Sequence, residues 1–231
     1  MADKPSRALV LYAAGHATVL GSHLDAFASR ASCGLLTLRS PAEDNSSTIL
    51  ELAQLLDVYD PKLSERFMGL RAALVTLGFQ VFQTNDFINR AFDLLGFSDG
   101  NVQETSEFDL VFMHVRLEKL VGAVMESAPV GSAIASRIHV SVILSYGSAS
   151  EADSDLNLLR PRQSYTMKAG DVRLHHPILL AQWQEGVTRV DLAKGFSFEE
   201  FIKHGGNLAM LAERFLHEVA FKLWKAPKYG A

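Results

Sequence analysis

The chain has 231 residues, 48% of them hydrophobic, enough to bury a substantial core and within the usual size of one domain, read as 1–231. Acidic residues outnumber basic ones, 26 to 22, and a net charge of -4 supplies no positive field toward nucleic acid or anionic lipid, so neither is expected as a partner. The single Cys33 cannot form an intramolecular disulfide. No secretory leader and no apolar run near the ~20 residues of a bilayer span are present, so the expectation is a cytoplasmic protein outside the membrane.

Arg7 to Ala14 is a continuous apolar run stopped by Gly15, the pattern of a strand buried on both faces. His23 to Arg30 then puts Leu24, Phe27 and Ala28 on one helical face, and Gly34 to Leu38 reads as the next strand. Helical spacing follows over Thr48–Leu56 and Leu63–Leu77, then strand alternation over Phe79–Gln83. Further strands are predicted at Phe108–Val115, Val140–Ser145 and Pro177–Ala181, with a helix over Leu117–Ser127 between the first two. Asn207 to Lys225 repeats apolar residues at helical intervals and closes the chain as a covering helix. Alternating strands and helices predict a three-layer α/β/α sandwich with a mostly parallel sheet, whose chemistry belongs at the carboxyl ends of the strands. The loops Gly15–Gly21, Tyr146–Ser150 and the approach to His175-His176-Pro177 lie at such ends.

Four collinear stretches carry a resemblance. They are Ala8-Leu-Val-Leu-Tyr-Ala-Ala-Gly-His16 with Leu24-Asp-Ala-Phe-Ala-Ser-Arg-Ala-Ser-Cys-Gly-Leu-Leu36; Tyr59-Asp60-Pro61 with Gly69 to Phe82; Phe108-Asp-Leu-Val-Phe-Met-His-Val115; and His176-Pro-Ile-Leu-Leu180 through Phe198-Glu-Glu-Phe201 to Gly205-Gly206. The chain thereby resembles the archaeal-type cofactor-independent phosphoglycerate mutases of the alkaline phosphatase superfamily, in shortened form. The resemblance implies an alkaline phosphatase-like fold, a divalent manganese or zinc centre, and phosphoryl transfer on a small phosphorylated metabolite, as in glycolysis. Paired cations in that chemistry neutralise phosphoryl oxygens and activate a hydroxyl, which demands carboxylate and imidazole ligands.

Most ligand positions of the family are replaced. Tyr12 or Ala13 stands where a ligating Asp is expected, His16 matches a second Asp, and Ser145-Tyr-Gly-Ser-Ala149 replaces an Asp-His turn. His175 and His176 lie beside the position of a ligating His. The resemblance thus leaves Ser46 or Ser47 as nucleophile and His16, His175 and His176 as metal ligands, with a pseudoenzyme serving as a binding or regulatory module for a protein partner as the alternative. Competing structural roles are readable too. Ser or Thr at 46–48 with Glu51 beyond is a capping-box pattern, His114 inside a strand reads as a buried and satisfied imidazole, and His23, His139, His204 and His217 read as surface or packing residues. Gly147-Ser-Ala-Ser150 lacks the second glycine of a nucleophile elbow, and Gly15–Gly21 matches no nucleotide-binding loop.

Overall fold

The computed structural model describes residues 7–13, 21–39, 48–57, 87–114, 117–145, 159–161, 176–206 and 209–227. Its strands are β1 (Arg7–Ala13), β2 (Ser32–Thr37), β3 (Phe97–Ser98), β4 (Asn101–Val102), β5 (Leu110–His114), β6 (Ile138–Ser145), β7 (Ile178–Trp183) and β8 (Met210–Leu211). The pair β3-β4 is a separate two-stranded sheet; the other six form one sheet in the order β5-β1-β6-β7-β2-β8. β5 and β6 run parallel to β1, and β8 runs parallel to β2. β7 is antiparallel to both of its neighbours, so the sheet is mostly but not wholly parallel. The ladder of β7 begins only after Pro177, which has no N–H to contribute.

β1 sits between β5 and β6 and buries both of its faces, as its uninterrupted apolar run requires. Leu9 and Leu11 point to one side, where α1 (Ser22–Ala28), α3 (Phe87–Leu94), α4 (Leu117–Ser127) and α6 (Phe198–His204) supply Phe27, Phe92, Val121, Val124 and Phe201. Ala8, Val10 and Tyr12 point to the other, against Leu55 of α2 (Thr48–Leu55) and Phe215 and Val219 of α7 (Phe215–Lys222). Helices therefore cover both faces, giving the expected α/β/α layering.

Local chemistry fixes several boundaries. Ser197 caps α6 by accepting from the Glu200 N–H at 3.3 Å, and Ser132 caps α5 (Ala133–Arg137) by accepting from Ala135 at 3.0 Å. Gly96 ends the α3 region at φ +68°, where a Cβ would fall 2.7 Å from the Thr105 carbonyl oxygen. α4 matches its sequence prediction; α3, α5, α6 and the β3-β4 pair were not foreseen as elements. The stretch read as one closing helix is instead β8, a 3₁₀ turn (Ala212–Arg214) and α7, because Leu36 and Thr37 recruit Met210 and Leu211 as strand partners. The helix predicted over 63–77 and the strand over 79–83 lie outside the described residues. Among the described residues no helix is long and apolar enough to cross a membrane.

Cys33 is fully buried in β2, and burial, reinforced by the Asp191 charge and opposed by Arg189, pushes its thiol up to about 12. A thiol so protonated and enclosed is a poor nucleophile. At pH 8 the native protein is expected to leave Ellman's reagent unreacted, and the unfolded chain to release its single thiol; fast titration of the native form would contradict the packing of β2 against the loop carrying Asp191.

Candidate functional site

The carboxyl ends of the central strands gather at one edge of the sheet. Tyr12 pairs in register with His114 of β5 and Ile143 of β6. Since β7 is antiparallel, its first residue Ile178 pairs with Ser145, the last of β6, which brings His176 to this same edge. β1, β6 and β7 thus lie side by side. α2 approaches the edge from the face that holds Tyr12 and carries Glu51.

These residues form a hydrogen-bonded group. The Tyr12 hydroxyl donates to Glu51 Oε2 at 2.8 Å, and Ser145 Oγ donates to Glu51 Oε1 at 3.0 Å. Tyr12 is 0% exposed and Glu51 5% exposed. The His114 ring tilts against Tyr12 with centroids 5.3 Å apart, and Phe112 stands 6.2 Å from Tyr12 on the same strand as His114. Burial, then the Glu51 charge and its hydrogen bond, drive the Tyr12 hydroxyl far above its ordinary pKa. Tyr12 is therefore a fixed neutral donor, and the carboxylate it holds accepts on both oxygens. One turn along α2, Gln54 Oε1 accepts from the Arg39 N–H at 2.6 Å, so the same helix also ties down the chain leaving β2.

The sequence expectations meet this geometry unevenly. Glu51, readable as half of a capping box, has oxygens that accept across the sheet edge from Tyr12 and Ser145; the residues ahead of Thr48 that would complete the box lie outside the described ones. His114 was read as buried; it is exposed at the end of β5, the outermost strand of the sheet among the described residues. His176 is half-buried just ahead of β7. His16, Ser46, Ser47 and His175 lie outside the described residues. His139 is a packing residue: it is fully buried, its Nε2 accepts from Gln182 Nε2 at 3.3 Å, and burial holds its pKa well down. The Gln182 amide also donates to Ser141 at 3.2 Å and accepts from Lys222 at 2.5 Å.

A manganese or zinc ion asks for several anionic or imidazole donors free to turn toward one point. Tyr12 is neutral and Glu51 already accepts twice, so this donor set does not fit a divalent cation. Among the described residues no group of three or more His, Cys, Asp and Glu side chains is arranged to hold a metal.

Sequence reasoning missed a second polar cluster, on the loop after β7. Asp191 Oδ2 accepts from the Cys33 N–H at 2.8 Å and the Gly206 N–H at 3.1 Å, while Arg189 grips the same carboxylate. Asp25 Oδ1 accepts from the Phe196 N–H at 2.8 Å. Gly205 is required here: a Cβ on it would run into the Phe201 carbonyl oxygen and lie 2.9 Å from that of Cys33, both fixed backbone atoms.

No family model matches the chain, and no curated protein matches it. Among solved structures it is similar to the PH0037 protein from Pyrococcus horikoshii, at 11% identity and a TM-score of 0.52, with 99% of this chain and 100% of that one covered. At that identity the likeness extends to the fold, an α/β architecture with a mostly parallel central sheet flanked by helices.

Proposed function

We propose that the chain is a catalytically silent relative of the cofactor-independent phosphoglycerate mutases, an alkaline phosphatase-like scaffold that serves as a binding or regulatory module. One observation carries the reading. Where the resemblance calls for a ligating Asp at the end of β1, at Tyr12 or Ala13, Tyr12 stands buried and donates to Glu51, which also accepts from Ser145. A two-metal mechanism draws its transition-state stabilisation from exposed anionic ligands, and this edge has been rebuilt as a closed neutral-donor network. The adjacency of β1, β6 and β7 supports retention of the scaffold, because packing needs only apolar pattern whereas catalysis needs particular polar atoms.

The rival reading is metal-dependent phosphoryl transfer to or from a small phosphorylated metabolite, with Ser46 or Ser47 as nucleophile and His16, His175 and His176 as ligands. The location of His176 at the same sheet edge as Tyr12 and Ser145 favours it. Coupled mutase and phosphatase assays with added manganese, alongside metal analysis of the purified protein, separate the two. Neither turnover nor stoichiometric metal is expected. Turnover that disappears on changing Ser46 and Ser47 together to Ala would replace the binding-module reading by the catalytic one.

A further inference from the structure

His139 does more than fill space. It pairs in the ladder with Ala8, so it faces the side of the sheet that α7 covers, and beside it on that face stand Ser141 and Gln182, paired with each other. All three are at most 4% exposed. Lys222, the last residue of α7, reaches down to them, and its Nζ donates to Gln182 Oε1 at 2.5 Å.

Donor and acceptor inventories fix the arrangement. An ammonium has no lone pair, so the Gln182 atom that meets Lys222 is the amide oxygen, and the amide nitrogen is left to donate to Ser141 Oγ at 3.2 Å and His139 Nε2 at 3.3 Å. His139 Nε2 therefore accepts. The neutral ring carries its hydrogen on Nδ1, which is buried and has no partner among the described residues. A second cation has no place in this group. A proton on Nε2 points one N–H at another, and turning the Gln182 amide over to offer its oxygen aims the amide N–H groups at the Lys222 ammonium. Either way one cation faces a donor. The flanking residues of the ladder bring no charge, since Ala8 and the Gln184 amide stand on either side of His139. The charge that reaches His139 is that of Lys222, and the one that reaches Lys222 is Glu218, a turn back on α7; Asp109 meets Lys225 instead, at 2.9 Å. Burial presses both bases the same way, His139 well down and Lys222 to about 8.

We propose that Lys222, Gln182 and His139 form a proton-operated latch, in which a second proton taken from solvent drives the group apart and frees the last turn of α7 from the sheet. The moving side is α7. His139 and Gln182 are held in β6 and β7 by a strand on each side, whereas Lys222 is half-buried at the end of an eight-residue helix and is followed by Trp224, 65% exposed. The latch lies toward the amino end of β1 and β6, away from Tyr12 and Ser145, so it stands whether or not the chain is catalytic.

The test is hydrogen exchange of the full chain, corrected for intrinsic rates, at the amides of Leu223, Trp224 and Lys225, which donate to the Val219, Phe221 and Ala220 carbonyls. An imidazole held below its ordinary 6.5 contributes stability that is complete above that value and is lost as pH falls toward the folded one. Protection of the three amides is therefore expected to fall about tenfold from pH 7.5 to 5.5, while that of Leu9, Val10 and Leu11 in β1 holds. His139→Leu removes the titrating ring and should abolish the fall. Gln182→Glu offers a carboxylate that accepts from both cations, so its protection should stay level or rise in acid. If His139→Leu does not fold, Gln182→Glu decides alone. A tenfold fall that persists in either variant, no fall in the wild type, or parallel loss at the β1 amides overturns the proposal.

Discussion

Asp191→Ala is expected to lower the free energy of unfolding by about 1–3 kcal/mol, the cost of leaving the buried Cys33 N–H without an acceptor, since Gly206 is exposed and its N–H turns to water. The reason lies in the shape of the sheet edge. β8 pairs only with Leu36 and Thr37, so among the described residues the first half of β2 has a strand on its β7 side and none on the other. Asp191 substitutes for that missing strand: its carboxylate takes the Cys33 N–H, and its own backbone N–H goes to the Ala31 carbonyl at 3.1 Å. The side chain is only 3% exposed, so water cannot replace it, whereas Arg189 is half-exposed and resolvates when freed. Burial alone would raise the Asp191 pKa, but the Arg189 hydrogen bond and the Cys33 and Gly206 N–H groups outweigh it and hold the value below its ordinary 3.8. A depressed carboxyl pKa contributes stability that is complete above the unfolded value and is lost as pH falls through the folded one. Urea midpoints measured downward from pH 7 should therefore drop more steeply below about pH 4 in the wild type than in Asp191→Asn. Equal acid slopes in the two proteins would show that the carboxylate is not held as described.

What the sequence disclosed, and what it hid, follows from how far each signal extends along the chain. β1, β6 and α4 are legible because an uninterrupted apolar run or a sustained 3.6-residue period depends on nothing but the segment itself. α3 carried a readable signal as well, with Ile88, Ala91, Phe92 and Leu95 at helical spacing and all buried. Its polar intervening residues belong to the exposed face. The antiparallel sense of β7 was not legible, since an apolar run is the same read in either direction. β8 is two residues long and exists only because β2 offers an edge. At the candidate site, Tyr12 and Ser145 could be placed at strand ends from the pattern, but Glu51 had a satisfactory local explanation as a cap, and nothing local announces a bond across 94 residues to Ser145. The same distance in sequence conceals the Asp191–Cys33 bond, which spans 158 residues.

Glu51→Leu is expected to cost about 2–4 kcal/mol, whereas the double replacement Tyr12→Phe with Glu51→Leu should stay within about 1 kcal/mol of the wild type. The single change removes an acceptor and strands the buried Tyr12 hydroxyl, which has no water to turn to; Ser145, half-buried, rotates away at smaller cost. Tyr12→Phe alone leaves the opposite mismatch, a carboxylate 5% exposed that has lost its 2.8 Å donor, and should cost about 1–3 kcal/mol. Replacing both partners removes the mismatched Tyr12–Glu51 pair, leaves only the half-buried Ser145 hydroxyl to find water, and gives the leucine apolar neighbours in Leu55, Phe112 and Ile143, which cluster with Tyr12. The double-mutant cycle by urea denaturation should thus return a coupling of the order of the two single losses combined. That coupling also bears on function. A network whose purpose is to close the sheet edge can be exchanged for hydrocarbon without loss of the fold, and under the binding-module reading with no loss of partner recognition. If the singles prove additive in the double variant, Tyr12 and Glu51 are not holding one another, and the edge is open to the chemistry that the resemblance implies.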